Sequence, residues 1–587
     1  MYMGGQPSRI GIPKDLLLDG ENIIAVQGIN ISTTSSDFSL APFLQVKVDA
    51  AGTLYHQTPS WFVDPDAIFE SNLPIIAIDT QNGQAIPDEP KIDAHMGIVA
   101  NTVGINEYPG SFNDYDGKIG IEIRGASSTM FDKKGYGLET RLESGENNNV
   151  SLLGMPLEND WVLHGPYSDK SLIRNVLAYH FAAEMGQYAP RTRLCELFLN
   201  NAYSGVYVLT EKIKKDTFRV DVGRLDPTEV SGRDLTGGYI FKLDKGDEPY
   251  WISPYLSLNN NDIRFLYHYP DPDLMPTVQR DYIKDRVTDF EDALAGDHFY
   301  DPVLGYKPYI DVQSFVDFYL VNEVSKNVDG YRISTFLHKD KDKLDRVSPI
   351  KAGPVWDFNL GFGNADYYDG SVTSGWQSNH PADYWSTPFW WNRLKEDPEY
   401  FNLLVDSWIE YRSTILSDMR VNEVIDSLTT LLEDAQQRNF SAFPILSTYI
   451  WPNNYVGGTY ENEINYLKQW VFERMAWMDE QLDWHMWPYS TPAYTALEGL
   501  DLKVYPNPVI SELSLYVKVD QASDLRVEVN NLLGQLTYRA DFNLYSGPQT
   551  LYFDAGMVNQ AMPQPGIYYL NIHLDGKFVE ARKIVKQ

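Results

Sequence analysis

The spacing of apolar positions changes repeatedly along the chain. Between Leu73 and Glu143 they fall in short alternating runs, such as Ile119-Gly-Ile-Glu-Ile-Arg124 and Tyr136-Gly-Leu-Glu-Thr-Arg-Leu142. A period of two predicts half-buried strands. Leu172, Ile173, Val176, Leu177 and Phe181 then keep helical spacing. They predict a helix from Ser171 to Met185 that Gly186 can stop. Leu194 to Leu199 and Val206 to Thr210 flank the turn Asn200-Asn-Ala-Tyr-Ser-Gly205 and predict a hairpin. Beyond Thr277 the apolar stripes predict helices over 277–294, 311–326, 400–416, 422–438 and 462–484. After Trp487 comes a Pro- and Thr-containing linker. From Leu502 the pattern is short strands at regular spacing, a small β-sandwich. Near the start, Asn22-Ile-Ile-Ala-Val26 and Phe43-Leu-Gln-Val-Lys-Val48 also read as strands.

The 587 residues leave room for about four domains of ~150 residues. The longest apolar stretches are as short as Leu73-Pro-Ile-Ile-Ala-Ile78. A spanning helix needs ~20 apolar residues, so no helical membrane span is expected. Aromatics at 13% exclude collagen-like and mostly disordered classes. The 48 basic and 81 acidic side chains give a net charge of −33. Such a surface repels phosphate backbones and anionic lipid, so nucleic acid is not an expected partner. The lone Cys195 has no intrachain disulfide partner. Its place in Arg193-Leu-Cys-Glu-Leu-Phe-Leu199 suits a buried small hydrophobe. Met1-Tyr-Met-Gly-Gly-Gln lacks the basic start and apolar core of a signal peptide. Two or three strands near the start cannot bury a sheet face alone. The opening is therefore expected to be a truncated β domain.

Several short motifs are absent. There is no His-Glu-x-x-His and no phosphate-cradling Gly-x-x-x-x-Gly-Lys-[Ser/Thr]. No Gly-x-Ser-x-Gly is found, and Gly361-Phe-Gly363 lacks a third glycine. Asn113-Asp-Tyr-Asp-Gly117 resembles a calcium loop, but Phe112 and Ile123 fall on its first and last liganding positions, so a turn is expected. One constellation remains. Asp329 follows a predicted helix, and Asp357 follows a strand-and-turn return within Gly353-Pro-Val-Trp-Asp-Phe-Asn-Leu-Gly-Phe-Gly363. Phosphoryl transfer needs one carboxylate for the acceptor hydroxyl and another for Mg²⁺ on the phosphates.

Ordered segments then carry a resemblance. They include Ile123-Arg-Gly-Ala-Ser-Ser128, Lys133-Lys-Gly-Tyr136, Asp169-Lys-Ser-Leu-Ile-Arg-Asn175, Ser204-Gly-Val-Tyr-Val-Leu-Thr-Glu-Lys-Ile213, Asn327-Val-Asp-Gly330 and Pro354-Val-Trp-Asp-Phe358. From Leu73 to Trp487 the chain resembles the CotH kinase family, atypical protein kinases named after a spore coat protein. The resemblance implies an α+β, two-lobed, kinase-like fold. It implies Asp329 as catalytic aspartate and Asp357 as metal aspartate of a DFG-like segment, with ATP and Mg²⁺ (or Mn²⁺) as cofactors. Val206 to Glu211 would be the last strand of the first lobe, with Glu211 and Lys212 at the nucleotide. Arg124, Lys134 and Arg141 are rival cations for the phosphates. Ser334 stands where many members carry the asparagine that binds a second metal, and Asn359 where many carry aspartate.

The tail resembles the C-terminal sorting domain of type IX secretion, through Leu502-Lys-Val-Tyr-Pro-Asn-Pro508, Gly566-Ile-Tyr-Tyr569 and Lys583-Ile-Val-Lys-Gln587. The expected organisation is a partial, galactose-binding-like β-sandwich (1–49), a linker (50–72), the kinase-like domain (73–487), a linker (488–500) and the sorting domain (501–587). The expected function is a secreted or surface kinase that phosphorylates protein Ser or Thr, with the type IX machinery as a partner. The alternative is a weak or inactive kinase-like protein acting in adhesion or in glycan or protein binding.

Overall fold

The computed structural model describes residues 68–586, except 82, 247, 258, 381–386, 483–500, 506–507 and 532–534. The expected β domain at 1–49 and the linker at 488–500 lie outside the described residues. The rest is a mixed α+β architecture that divides into two compact units.

The first unit takes the described chain up to Gly165, then Arg193–Thr210 and Leu431–Pro444. Seven strands close into a barrel in the order Ile75–Asp79, Ile92–Val99, Tyr115–Arg124, Gly135–Thr140, Asp160–His164, Ala202–Glu211 and Thr192–Leu199. The alternating residues send Ile76, Ile98, Ile119, Leu138, Trp161 and Leu197 into one core. Closure comes from Ile75–Asp79, which pairs parallel with Glu196 to Leu199. The hairpin has a tighter turn than the six residues expected. Only Asn200 and Asn201 separate its strands, both left-handed with φ 50° and 63°. Paired positive φ suits the right-handed twist of the flanking strands, and asparagine tolerates it. Cys195 is fully buried in this core. Leu142 does not share the buried face of Leu138, because the strand ends at Thr140 and leaves Leu142 exposed.

Helix Glu433–Ala442 belongs to this unit. Arg438 pairs with the buried Glu196 at 2.6 Å. Asn439 Oδ1 accepts from Lys133 Nζ at 2.7 Å and from the Val206 N–H at 3.0 Å. Lys133 is only 2% exposed, and its ammonium sits against the rings of Tyr207 and Phe443. Among the described residues no carboxylate pairs with it. Burial pushes this ammonium down to about 7.

The second unit holds Pro166–Thr192, Glu211–Thr430 and the residues from Ile445 on. Its central sheet is antiparallel, in the order Tyr250–Leu256, Asp262–Tyr269, Tyr239–Leu243, Thr335–Lys339 and Ile350–Ala352. Helices Thr277–Ala295, Val312–Ser325, Pro398–Ser413 and Tyr460–Gln481 match four predicted stripes to within a few residues. Asp311 caps the second of these through the Ser314 N–H, and left-handed Lys326 ends it. The stripe over 422–438 is not one helix. It breaks at the buried Leu432 into Asp418–Leu431 and Glu433–Ala442. Beyond Asp501 a three-stranded and a four-stranded sheet share a core that includes Leu515, Val527 and Ile572, a β-sandwich as expected. Among the described residues no helix is long and apolar enough to cross a membrane.

Candidate active site

The chain leaves helix Val312–Ser325 through Lys326 into a compact turn. The Gly330 N–H donates to Asn327 O at 2.9 Å, and the Ile333 N–H to Asp329 O at 3.0 Å. Gly330 is required by space, since a Cβ there would lie 2.5 Å from Asn322 Oδ1. Asp329 Oδ1 pairs with Arg332 Nη2 at 3.0 Å. The Arg332 Nε–H donates to Val328 O, and its guanidinium lies 5.1 Å from the Tyr368 ring centre.

Asp357 lies on a neighbouring loop. Asn327 Nδ2 donates to Asp357 O at 3.2 Å and ties the two aspartate loops together. Helix Arg174–Glu184 holds the same loop from another side. The Asp357 N–H donates to Tyr179 Oη at 3.1 Å, and the Phe358 N–H to Asn175 Oδ1 at 2.6 Å. Trp356 stacks on Tyr179. The helix starts three residues later than expected because Asp169 organises its entry. That carboxylate accepts from the Ser171 and Arg174 N–H groups and pairs with the Arg174 guanidinium at 2.6 Å. Asn175 and Tyr179 were not singled out from the sequence. Asn175 closes a family-like segment and Tyr179 lies one turn further, which was the available signal.

A strap, Asp366 to Gly375, runs beside these loops. Lys326 Nζ donates to Val372 O (2.8 Å) and Ser374 O (2.6 Å). Arg474 Nη1 donates to Thr373 O (2.9 Å) and Gly375 O (2.7 Å), and Trp470 Nε1 to Ser371 O (2.7 Å). Arg474 also forms a fully buried pair with Glu323 at 2.9 Å. The Asp366 N–H donates to Pro452 O, and Tyr367 stacks within 5° of parallel on Trp451. Burial first, then the Asp329 and Asp357 carboxylates, push the Tyr367 phenol up, against the opposing effect of Arg332.

Backbone strain concentrates here. Among the described residues 14 non-glycine positions are left-handed, and seven of them fall between 326 and 369: Lys326, Tyr331, Ser334, Asp357, Phe362, Tyr368 and Asp369. Such clustering is typical of functional sites.

Asp329, Asp357, Ser334, Glu211 and Lys212 all fall in the second unit, whereas Arg124, Lys134 and Arg141 fall in the first. Ser334 is half-buried and left-handed at φ 51°. The carboxylate of Glu211 is buried and held by Arg191 Nη1 at 2.9 Å and the Tyr188 hydroxyl at 3.2 Å. Lys212 is half-buried on the next residue. Arg141 is engaged by Glu139 and Asp93. Lys134 Nζ donates to the carbonyls of Thr129 and Phe131. Arg124 ends its barrel strand.

Among the described residues no cluster of three or more His, Cys, Asp or Glu could cage a metal. Two carboxylates on adjoining loops are nonetheless the donor set that Mg²⁺ uses when substrate phosphates complete its shell. Asp329 and Asp357 are carboxylates of that kind, on loops joined through Asn327.

Residues 121–478, more than half of the chain, match the family described as CotH kinase protein. The chain belongs to the CotH kinase family. The CotH match covers both aspartate loops, helix Arg174–Glu184 and the strap. Residues 503–587 match the secretion system C-terminal sorting domain. The protein is therefore a kinase-like client of type IX secretion, delivered to the cell surface or beyond. No curated protein matches the chain. Among solved structures, dimeric latent PorU from Porphyromonas gingivalis is 18% identical over 15% of this chain and 9% of its own, with a TM-score of 0.14. A β-glucosidase from Listeria innocua in complex with glucose is 14% identical over 15% of this chain and 16% of its own, with a TM-score of 0.12. The alkylpurine DNA glycosylase AlkC of Pseudomonas fluorescens is 12% identical over 36% of this chain and 56% of its own, with a TM-score of 0.13. The CotH chain spans less than a fifth of the first two proteins, and none of these three likenesses bears on its chemistry.

Proposed function

We propose that this chain moves the γ-phosphoryl group of ATP to a Ser or Thr hydroxyl of a protein, at the site formed by Asp329 and Asp357. The observation that carries the reading is the bond from Asn327 to Asp357 O, which joins the two aspartate loops in one place. Asp329 would take the acceptor proton as the new P–O bond forms and the bond to ADP breaks. Mg²⁺ or Mn²⁺, held by Asp357 and Ser334, would neutralise charge on the phosphates. Lys212 beside Glu211, or one of Arg124, Lys134 and Arg141, would supply the cation for the phosphates. The catalytic region would be a two-lobed kinase-like domain over 73–487, flanked by the β fragment at 1–49 and the sorting domain at 501–587.

A metal-dependent ATP-binding isotherm tests this. Asp357→Ala should abolish binding, while Asp329→Asn should spare it and stop transfer. Absence of saturable binding by the native chain would refute the kinase reading, and equal loss in both variants would refute the roles. Ser334 and Asn359 favour a second reading, because a hydroxyl and an amide replace stronger metal donors. On that reading the protein turns over weakly or not at all and serves in adhesion, and glycan or protein binding without nucleotide binding would support it.

A further inference from the structure

We propose that Arg332 is a positioning residue of this site, its guanidinium holding the Asp329 carboxylate in the orientation that meets the acceptor hydroxyl. The inference rests on the phosphotransferase reading above. The ion pair is local to one turn. Arg332 Nη2 donates to Asp329 Oδ1 at 3.0 Å, three residues back along the chain. The Arg332 and Ile333 N–H groups both donate to Asp329 O, at 3.4 and 3.0 Å, so main chain and side chain close the same turn. The guanidinium is also anchored away from the carboxylate. Its Nε–H donates to Val328 O at 2.8 Å, and the ring centre of Tyr368 on the strap lies 5.1 Å from it. The Asp329 N–H donates to Asn327 Oδ1 at 3.3 Å, the same amide whose Nδ2 reaches Asp357 O.

The χ2 torsion of aspartate is broad, so the side chain does not fix the plane of its own carboxylate. Here an anchored donor fixes it. Burial separates the tasks of the two partners. The Asp329 side chain is 13% exposed and can meet a reactant, whereas that of Arg332 is 3% exposed and is shut away from one. Desolvating a guanidinium is costly, and well-packed apolar side chains often serve a fold as well as a buried ion pair does. Fold stability is therefore a poor reason for arginine at this position. Charge is a better one. The phosphotransferase reading brings Asp329, Asp357 and a triphosphate together, and a fixed cation beside Asp329 offsets part of their repulsion. In the transfer step the acceptor oxygen bonds to phosphorus, its proton passes to Asp329, and the bond to ADP breaks. Arg332 gives up no proton and touches no reactant. It acts through Asp329.

The test uses the full chain with Mg²⁺ and ATP. It measures the nucleotide Kd by calorimetry and turnover by release of inorganic phosphate, with water as acceptor. Arg332→Met and Arg332→Gln both remove the charge, one with an apolar and one with a polar side chain. Turnover should fall about 10–100-fold in each, the loss expected for one hydrogen bond to a charged group. Kd should stay within about threefold. Arg332→Lys restores a cation and should regain most of the lost turnover, which a purely space-filling role would not predict. Native turnover in either neutral variant would overturn the proposal while leaving the kinase reading intact. So would a loss of binding as large as the loss of rate, or an Arg332→Lys chain no faster than Arg332→Gln. One neutral variant that keeps the native thermal midpoint is enough for the comparison; collapse of both would make Arg332 a residue of the fold and overturn the proposal. Failure of the native chain to bind nucleotide, or binding with no turnover at all, would refute the kinase reading, and this proposal with it.

Discussion

Replacing Lys133 with methionine should stabilise the barrel at neutral pH and remove a pH dependence. The lysine is 2% exposed and its ammonium is pushed from 10.5 to about 7 by burial. Each pKa unit is worth ~1.36 kcal/mol, so keeping the charge-capable amine buried at pH 7 costs the fold about 4–5 kcal/mol. The folded pKa lies below the unfolded one. Between about pH 7 and 10.5 unfolding therefore takes up a proton, and stability should rise with pH by up to ~1.4 kcal/mol per unit. Below about pH 7 both states are charged and this slope disappears. Methionine has similar length and no charge. It forfeits the hydrogen bond from Nζ to Asn439, worth about 1 kcal/mol, while Asn439 still accepts from the Val206 N–H. The net expectation is roughly 3 kcal/mol of added stability at pH 7, shrinking to nothing or a slight loss near pH 10. Cys195 supplies the assay, as the only cysteine in the chain and one fully buried in the barrel core. Its labelling by a brief pulse of thiol reagent across a urea gradient reports opening of this unit alone. Parallel stability-versus-pH curves for the native and Lys133→Met chains would show that the buried amine bears no such cost.

Further outcomes follow from the second unit and the tail. Ser334→Asn should raise stability by roughly 1 kcal/mol or less, because asparagine tolerates the left-handed backbone that serine occupies here. It should also raise turnover at limiting Mg²⁺, and Ser334→Ala should lower it; identical metal titrations would remove Ser334 from the metal site. Asn175→Ala leaves the Phe358 N–H buried without its acceptor, at about 1–3 kcal/mol. Metal–nucleotide affinity should fall with it, whereas unchanged calorimetry would show that Asp357 does not depend on this helix. Deleting Leu502–Gln587 should strand a folded kinase-like domain in the periplasm, and undiminished surface display would contradict the sorting role of the tail.

Much of this architecture was legible because burial follows period. The alternating runs became barrel strands, and the stripes at Thr277, Asp311, Tyr400 and Asn462 became helices. The stripe over 422–438 misled because Leu432 continues the apolar spacing while its backbone breaks the helix. Periodicity reports which face is buried, not whether one axis is kept. Asp329 and Asp357 were legible as a pair, since each sits at the exit of a predicted element. The supports of Asp357 were not legible. Asn175 and Tyr179 read as ordinary positions of an amphipathic helix, and only the fold brings them to backbone amides 183 and 178 residues away. Barrel closure was likewise hidden, because the parallel pairing of Ile75–Asp79 with Glu196 to Leu199 joins segments about 120 residues apart.

The left-handed backbone between residues 326 and 369 has a consequence for how this region can change over time. At most positions of a protein, substitutions are filtered by what the side chain touches. At Ser334, Asp357, Tyr368 and Asp369 they are filtered first by the main chain, which excludes β-branched residues before any chemistry is tested. The alphabet available there contracts towards glycine, asparagine and aspartate. Two of those three are also oxygen donors. Drift in this region is thereby channelled among residues that can still meet a cation, and a lineage that lost turnover could regain a ligand by a single change.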